Sequence, residues 1–181
     1  YGLLGDSDGG STAGAVPRIS NGNGVESSIG VVNNNGATAT VTITLSYTQT
    51  NLPDVVRVVS LPANSRRSIA LSQLGIVDGQ AVGIRYNSTL PVTFTAVEYK
   101  NGDGDASASA TTASTSALFG DAFVTPGGAG TTYIEQLGLY NPTAVDTQIS
   151  VRFLFTNGSV SDPVVINVAA RRFALFQVDQ A

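Results

Sequence analysis

The sequence predicts an all-β protein built from two tandem immunoglobulin-like β-sandwiches, one of them incomplete. Three observations predict this fold class: many short β-branched segments bounded by Gly, Asn, Pro and Asp, almost no helical period, and an internal repeat. A length of 181 residues is sufficient for two small sandwich domains.

The strand signal is plainest in residues 37–47. Val41, Ile43, Leu45 and Tyr47 alternate with Thr and Ser, so one face of this strand is predicted to be buried and the other solvated. Further strands are predicted from the same composition, with turns between them at residues 35–36, 61–62 and 87–91. These strands are residues 25–32, 55–61, 67–71, 80–86 and 92–99.

The internal repeat appears when the chain is shifted against itself by 108 residues. The four alternating apolar residues of residues 37–47 then coincide with Ile149, Val151, Phe153 and Phe155. Beyond the next hairpin the offset falls to 105, which aligns the pair Arg66-Arg67 with Arg171-Arg172 and implies a first loop three residues longer.

The two copies have unequal lengths. The first continues through two further strands, whereas the second stops soon after its arginine pair, so two strands are missing from it. We therefore predict a first sandwich repeat with an extended N-terminal arm in residues 1–104, and a linker with a truncated second repeat in residues 105–181. Alternatively, residues 92–115 belong to the second sandwich and the first is the incomplete one.

The order of turns and strands resembles a family of uncharacterised bacterial cell-surface β-sandwich repeats. The residues that carry the resemblance are Leu139-Tyr140-Asn141-Pro142 and Thr156-Asn157-Gly158 in the second copy, and Leu61-Pro62-Ala63-Asn64 and Ala96-Val97-Glu98-Tyr99 in the first. The resemblance implies an extracellular scaffold or adhesive repeat, and it brings no catalytic residues.

Composition excludes several classes of function. The chain has no His and no Cys, so nucleophilic triads lack their usual base and thiol, and we expect no enzyme activity and no cofactor. A net charge of -4 without a basic run disfavours nucleic acid, and no apolar stretch is long enough for a membrane span. Because the chain starts at Tyr1 and contains no Met, we expect a cleaved secretory signal and an extracellular location.

Candidate site residues are few. Glu26, Glu98 and Glu135 could supply a carboxylate pair, but strand carboxylates more often face solvent or pair with Arg, as Glu26 or Glu135 would with Arg67 or Arg172. The acidic runs at residues 6–10 and 101–107 resemble partial calcium loops; neither is followed by the Glu of an EF-hand, so we predict Asp/Gly turns and no metal. Asn87 and Asn157 lie in glycosylation sequons.

The function predicted from these features is a structural subunit of an extracellular filament, a head-to-tail homopolymer formed by inter-subunit strand complementation. Low charge and a single Lys leave the sheet edges unguarded. The preferred donor strand is residues 1–16 with Tyr1, Leu3 and Leu4 as anchors, and residues 106–118 are the rival. The alternative function is a cell-surface adhesin or carbohydrate-binding module, with surface glycans as its partner.

Overall fold

The fold was analysed in a computed structural model that describes residues 9–49, 51–100, 103–108, 115–117 and 136–178. Antiparallel strands and one short 3₁₀ turn, Leu71–Leu74, make up the regular structure of these residues, which confirms the all-β prediction. In chain order, the strands are β1 (Ser11–Ser20), β2 (Val25–Asn33), β3 (Ala39–Tyr47), β4 (Val55–Leu61), β5 (Ser65–Ala70), β6 (Ala81–Lys100), β7 (Asp103–Ala108), β8 (Gln136–Tyr140), β9 (Thr147–Val151), β10 (Val164–Val168) and β11 (Phe173–Gln177).

The first repeat unit, β1 to β7, is one curled antiparallel sheet in the order β4-β3-β6-β2-β5. The long strand β6 joins its two halves. Its first part pairs with β1 and β3, and its second part pairs with β2 and β7. Since β7 extends to Ala108, pairing within this sheet continues past the predicted division between residues 104 and 105.

Strand β6 bends sharply in the segment where the sequence predicts a turn, residues 87–91. The rings of Tyr86 and Phe94 stack with centroids 4.5 Å apart, although eight residues of a straight strand would separate them by about 26 Å. The register of β1 shows the same bend, because Ser11 pairs with Val92 while Ala13 pairs with Asn87. The two strands predicted on either side of the turn are therefore one bent strand.

The core of the first unit lies inside this curled sheet. Val41, Ile43 and Leu45 are fully buried and Tyr47 is 2% exposed, as their alternation predicts. They pack with apolar residues of β2 and with Val82, Ile84, Tyr86 and Phe94 of β6. Strand β1 has no predicted place in this unit: the sequence prediction assigns residues 11–16 to the inter-subunit donor strand, but they pair with β6 of the same copy. Gly14, Pro17 and Arg18 interrupt the alternation of β1, although Val16 and Ile19 are buried.

The second repeat unit has two hairpins, β8–β11 and β9–β10, which repeat β2–β5 and β3–β4. The offset is 108 for the first strand of each hairpin and 107 for the second, because Ile149 pairs with Ile166 as Val41 pairs with Val59. The repeat is confirmed, but its predicted second offset of 105 is wrong.

Turn geometry explains the corrected offset. Asn64 and Arg171 both have positive φ, 51° and 60°, and their N–H groups donate to the equivalent carbonyls of Asn35 and Thr143. Arg171 thus corresponds to Asn64, and the first loop is one residue longer than the second. The offset of 105 matched the two arginine pairs by residue type, but these arginines occupy backbone positions that do not correspond.

Candidate functional site

Each unit contains a buried asparagine at the end of the first strand of one hairpin, β2 in the first unit and β8 in the second. The Asn33 Nδ2 donates to the carbonyls of Ala37, Leu61 and Pro62 at 2.9, 3.1 and 2.8 Å, and its Oδ1 accepts from the N–H and the side-chain amide of Asn35. Asn33 is fully buried. This side chain fixes the turn after β2 to the end of the β3–β4 hairpin.

Asn141 makes the equivalent contacts in the second unit. Its Nδ2 donates to the carbonyls of Val145, Val168 and Ala169, and its Oδ1 accepts from the N–H and hydroxyl of Thr143. Asn141 is 2% exposed. The sequence repeat aligned the two asparagines but did not reveal this role. The available signal was an Asn at a strand position where the apolar alternation predicts an inward side chain.

In the first unit, β6 fills the space between the two hairpins. It runs antiparallel to β3, with Val82 opposite Tyr47, Ile84 opposite Leu45 and Tyr86 opposite Ile43. Its second part runs antiparallel to β2. The strand therefore supplies hydrogen bonds to both hairpins and apolar side chains to the core between them.

No strand among the described residues takes the place of β6 in the second unit. Ile149, Val151 and Phe153 are half-buried where their counterparts in β3 are fully buried, and Phe155 is 53% exposed where Tyr47 is 2% exposed. Leu154 is 73% exposed. We call the space beside β9 and the 152–155 segment that extends it the open slot.

Backbone groups also face the open slot. The Phe155 N–H donates to the Ser159 carbonyl, and the Ser161 N–H donates to the Phe153 carbonyl, so the odd-numbered residues bond across the hairpin. By strand alternation, the backbone groups of Leu154 and Arg152 point the other way, towards the slot. Since these groups have no backbone partner among the described residues, an incoming strand would find both edge groups and apolar side chains there.

The outer face of the β8–β11 hairpin, in contrast, is covered by the first unit. Phe173 is 2% exposed and packs on Gly83 of β6, where an added Cβ would lie 3.2 Å from the Phe173 Cβ. Gly138 packs on Pro17 and Arg18 of β1. The first unit has the exposed Arg66 in the position of Phe173, so this apolar contact belongs to the second unit alone.

An ion-pair cluster spans the contact between the units. Asp54 accepts from Arg172 of the second unit at 2.9 Å and lies 3.6 Å from Arg85 of β6. Nearby, burial raises the pKa of the Tyr140 phenol, an effect that the charge of Arg85 opposes. The Tyr140 hydroxyl is buried and has no hydrogen-bond partner among the described residues. The cluster holds the units together and offers no reactive pair.

Glu26 and Glu98, the two described carboxylates of those considered for catalysis, do not converge: they lie on opposite faces of the β2–β6 pair, because Glu98 is opposite Ser27 and Glu26 is opposite Tyr99. Glu98 accepts from Arg18 and Ser20, which makes it part of a structural cluster between β1 and β6. Of the predicted pairs, neither Glu26–Arg67 nor Glu26–Arg172 is among the ion pairs of the described residues, and Arg172 pairs with Asp54. Glu135 lies outside the described residues. Among those that are described, no three acidic side chains are grouped as metal ligands.

The acidic run at 101–107 is not the predicted Asp/Gly turn where it is described, because residues 103–108 form β7 and pair with β6. Asp6 and Asp8 of the other run lie outside the described residues, as do the donor anchors Tyr1, Leu3 and Leu4. Of the sequon residues, Asn87 is exposed on β6, and Asn157 lies in a turn where its Oδ1 accepts from Ser159.

In the part of the chain that the structure covers, no helix has the length and apolar composition needed to cross a membrane. No family model and no curated protein matches this chain. A crystal structure of Thermotoga maritima 1070 is similar in fold, with a TM-score of 0.52 and 20% identity over 56% of this chain and 94% of that protein. The Anabaena sensory rhodopsin transducer gives a TM-score of 0.42 and 18% identity over 47% of this chain and 92% of that one.

Proposed function

We propose that this protein is a structural subunit of an extracellular filament, in which the open slot of one copy is completed by a strand from another copy. The observation that carries the proposal is the contrast between two equivalent positions: Tyr47, which pairs with β6 in the first unit, is 2% exposed, while Phe155 is 53% exposed in the second. Because the repeat gives both units the same two hairpins, we use the first unit as the template for a completed second unit.

Strand β6 cannot be the exchanged strand. Each copy has two positions for such a strand, one in each unit, but one β6, so swapping it would leave one position empty in every copy. A donor must come from a segment that no sheet already uses. Residues 11–16 of the preferred donor pair with β6 as part of β1, and residues 106–108 of its rival pair with β6 as part of β7.

Of what remains of the two candidates, we take residues 1–8 as the donor, because they carry the apolar anchors Tyr1, Leu3 and Leu4, whereas residues 109–117 are all Ala, Ser or Thr. Fully extended, eight residues reach about 26 Å, and pairing with the four residues of the 152–155 segment needs about 13 Å. The remainder spans the distance to the neighbouring copy. Donation of this kind is head-to-tail and does not close, so it produces a filament.

The test is particle size, measured by light scattering and electron microscopy. The intact chain should form polymers, and a variant in which residues 1–8 are replaced by eight Gly and Ser residues should remain monomeric. Val58→Lys is the matched control: Val58 is 66% exposed on the edge strand β4, and a Lys there blocks edge-to-edge pairing without touching the slot.

Polymers of the Val58→Lys variant together with monomers of the arm variant support the proposal. A stable monomer of the intact chain would overturn it and favour the alternative, an adhesin or carbohydrate-binding module. Loss of polymers in the Val58→Lys variant alone would assign assembly to the β4 edge.

A further inference from the structure

The open slot is specific about the strand that fits it. It exposes two large apolar side chains on consecutive residues, Leu154 at 73% and Phe155 at 53%. Consecutive strand residues point to opposite faces, so a matching strand needs an apolar residue on each face at neighbouring positions. Arg152, also exposed, follows on the outer face. Among the described residues, no carboxylate forms an ion pair with it.

The N-terminal arm carries the complementary pattern. Leu3 and Leu4 are consecutive apolar residues, and Asp6 follows two positions after Leu4. Residues 1–17 contain the acidic Asp6 and Asp8 and no basic side chain. The arm therefore has the same spacing of apolar residues as the slot, and its charge is opposite to that of the slot.

We infer that the arm of one copy pairs antiparallel to the 152–155 segment that extends β9 of the next copy, in the register that places Leu3 opposite Phe155, Leu4 opposite Leu154 and Asp6 opposite Arg152. This inference rests on the proposed function and specifies its interface. The antiparallel direction follows from the first unit, where β6 runs antiparallel to β3. Gly5 falls opposite Phe153 and leaves room for its ring.

The first unit explains why these pairs differ from their template. In the first unit, the two corresponding residues are Ser46 of β3 and Gly83 of β6, which lie opposite each other and are both buried. Gly83 must be small because Phe173 packs on it. The equivalent pair in the slot, Leu154 and Leu4, has no such cover and instead forms a large apolar contact across the two strands.

The charged residue of the arm also differs from its template, since Asp6 takes the position of Arg85 in β6. Arg85 of β6 lies opposite Thr44, which has Arg152 as its counterpart in the second unit. A strand with the β6 pattern would bring two arginines together in the slot, and like charges directly opposite each other are destabilising. Asp6 in the same position forms a cross-strand ion pair.

The register that shifts the arm by two residues is the main competitor. It places Tyr1 opposite Phe155 and Leu3 opposite Phe153, but it puts Leu4 on Arg152 and Asp6 on Ser150. The exposed Leu154 then faces Gly2. Only the proposed register satisfies the apolar pair and the charge together.

Cysteine cross-linking tests the register directly, since the chain has no Cys of its own. In the Asp6→Cys, Arg152→Cys variant, each copy carries one donor and one acceptor thiol, so oxidation should give a ladder of covalent oligomers. Facing residues of an antiparallel pair have Cα atoms 4.5–5.5 Å apart, within the range that a disulfide spans. The Asp6→Cys, Ser150→Cys variant is the matched control for the shifted register.

A charge exchange keeps the inference testable if the thiol variants do not assemble. Arg152→Glu should raise the critical concentration for assembly about three- to tenfold, and adding Asp6→Arg should restore it. Arg67→Glu, an exposed charge on β5, is the control and should change it little.

A ladder from the Arg152→Cys pair and not from the Ser150→Cys pair, or rescue by the exchanged charges, supports the register. Polymers that give the opposite ladder, or an Arg152→Glu variant that assembles normally, overturn the register and leave the filament intact. Absence of polymers from the unmodified chain overturns the proposed function itself, and the register with it.

Discussion

Replacing Asn33 by Ala should destabilise the first unit more than any other single polar substitution among the contacts described above. The Asn33 side chain is fully buried and lies within hydrogen-bonding distance of three carbonyl oxygens and two donor nitrogens. Asn33→Ala removes all of these contacts and leaves the carbonyls of Leu61 and Pro62 without this donor.

The magnitude follows from the number of bonds. The two hydrogens of Nδ2 are shared among three acceptors, and Oδ1 accepts two bonds, so about four hydrogen bonds are lost. At about 1 kcal/mol each, with part of the desolvation cost of the orphaned carbonyls added, the free energy of unfolding should fall by about 3–5 kcal/mol. That is a large share of the total stability of a small domain.

Urea unfolding of Asn33→Ala measures this loss, with Asn34→Ala as the control because Asn34 is exposed in the same turn. The control should lie within about 0.5 kcal/mol of the wild type. A loss below about 1 kcal/mol for Asn33→Ala would refute the structural role assigned to this side chain.

Asn33→Asp adds a pH dependence of known sign. Burial and the surrounding carbonyl oxygens disfavour a carboxylate, so the pKa of the introduced carboxyl is higher in the folded chain than its unfolded value of about 3.9. Stability relative to the wild type is therefore greatest below about pH 4 and falls as the pH rises through the folded pKa. Asn33→Ala, measured in parallel, should show no such trend.

Three further substitutions test the second unit. Asn141→Ala should loosen the two hairpins of that unit while the first stays folded, visible as fast hydrogen exchange confined to β8–β11; protection equal to the wild type would contradict it. Tyr140→Phe should be neutral or stabilising by up to about 1 kcal/mol, because the hydroxyl it removes is buried and unpaired. Burial raises the pKa of Tyr140 in the folded chain, so the wild type should lose stability relative to Tyr140→Phe as the pH rises above about 10, the pKa of an unfolded tyrosine. A difference between the two urea midpoints that stays constant up to pH 11 would argue against this. Asp54→Asn should weaken the contact between the units by about 1–3 kcal/mol, because Arg172 is largely buried beside it, and an unchanged melting temperature would refute that role.

Alternation and turn residues predict much of the first unit. Strand β4 has the predicted bounds, and β3 buries the four side chains that its alternation predicts. Such a strand can be predicted because one buried and one solvated face require apolar and polar residues to alternate. Strand β1 left no comparable record. Its register is irregular between Val16 and Ile19, so its buried residues are three apart instead of two.

The open slot was only partly accessible to sequence reasoning. Matching the two copies predicts that strands are missing, but it does not show which hairpin keeps an open edge. That depends on Phe173 packing on Gly83, a contact between residues 90 positions apart whose pattern has no counterpart in the first unit. The arginine pairs misled the alignment because Arg171 occupies a turn position with positive φ. That position is defined by backbone conformation, which a match of residue types does not detect.

Amide hydrogen exchange at Leu154 tests the central claim most directly, measured on assembled protein and on the same protein dispersed by dilution. If a strand from a neighbouring copy fills the open slot, exchange at this amide should slow by about 100-fold or more on assembly. Val58, on the edge of β4, should exchange equally fast in both samples. Assembled protein in which Leu154 exchanges as fast as in the dispersed chain would contradict strand complementation at this slot.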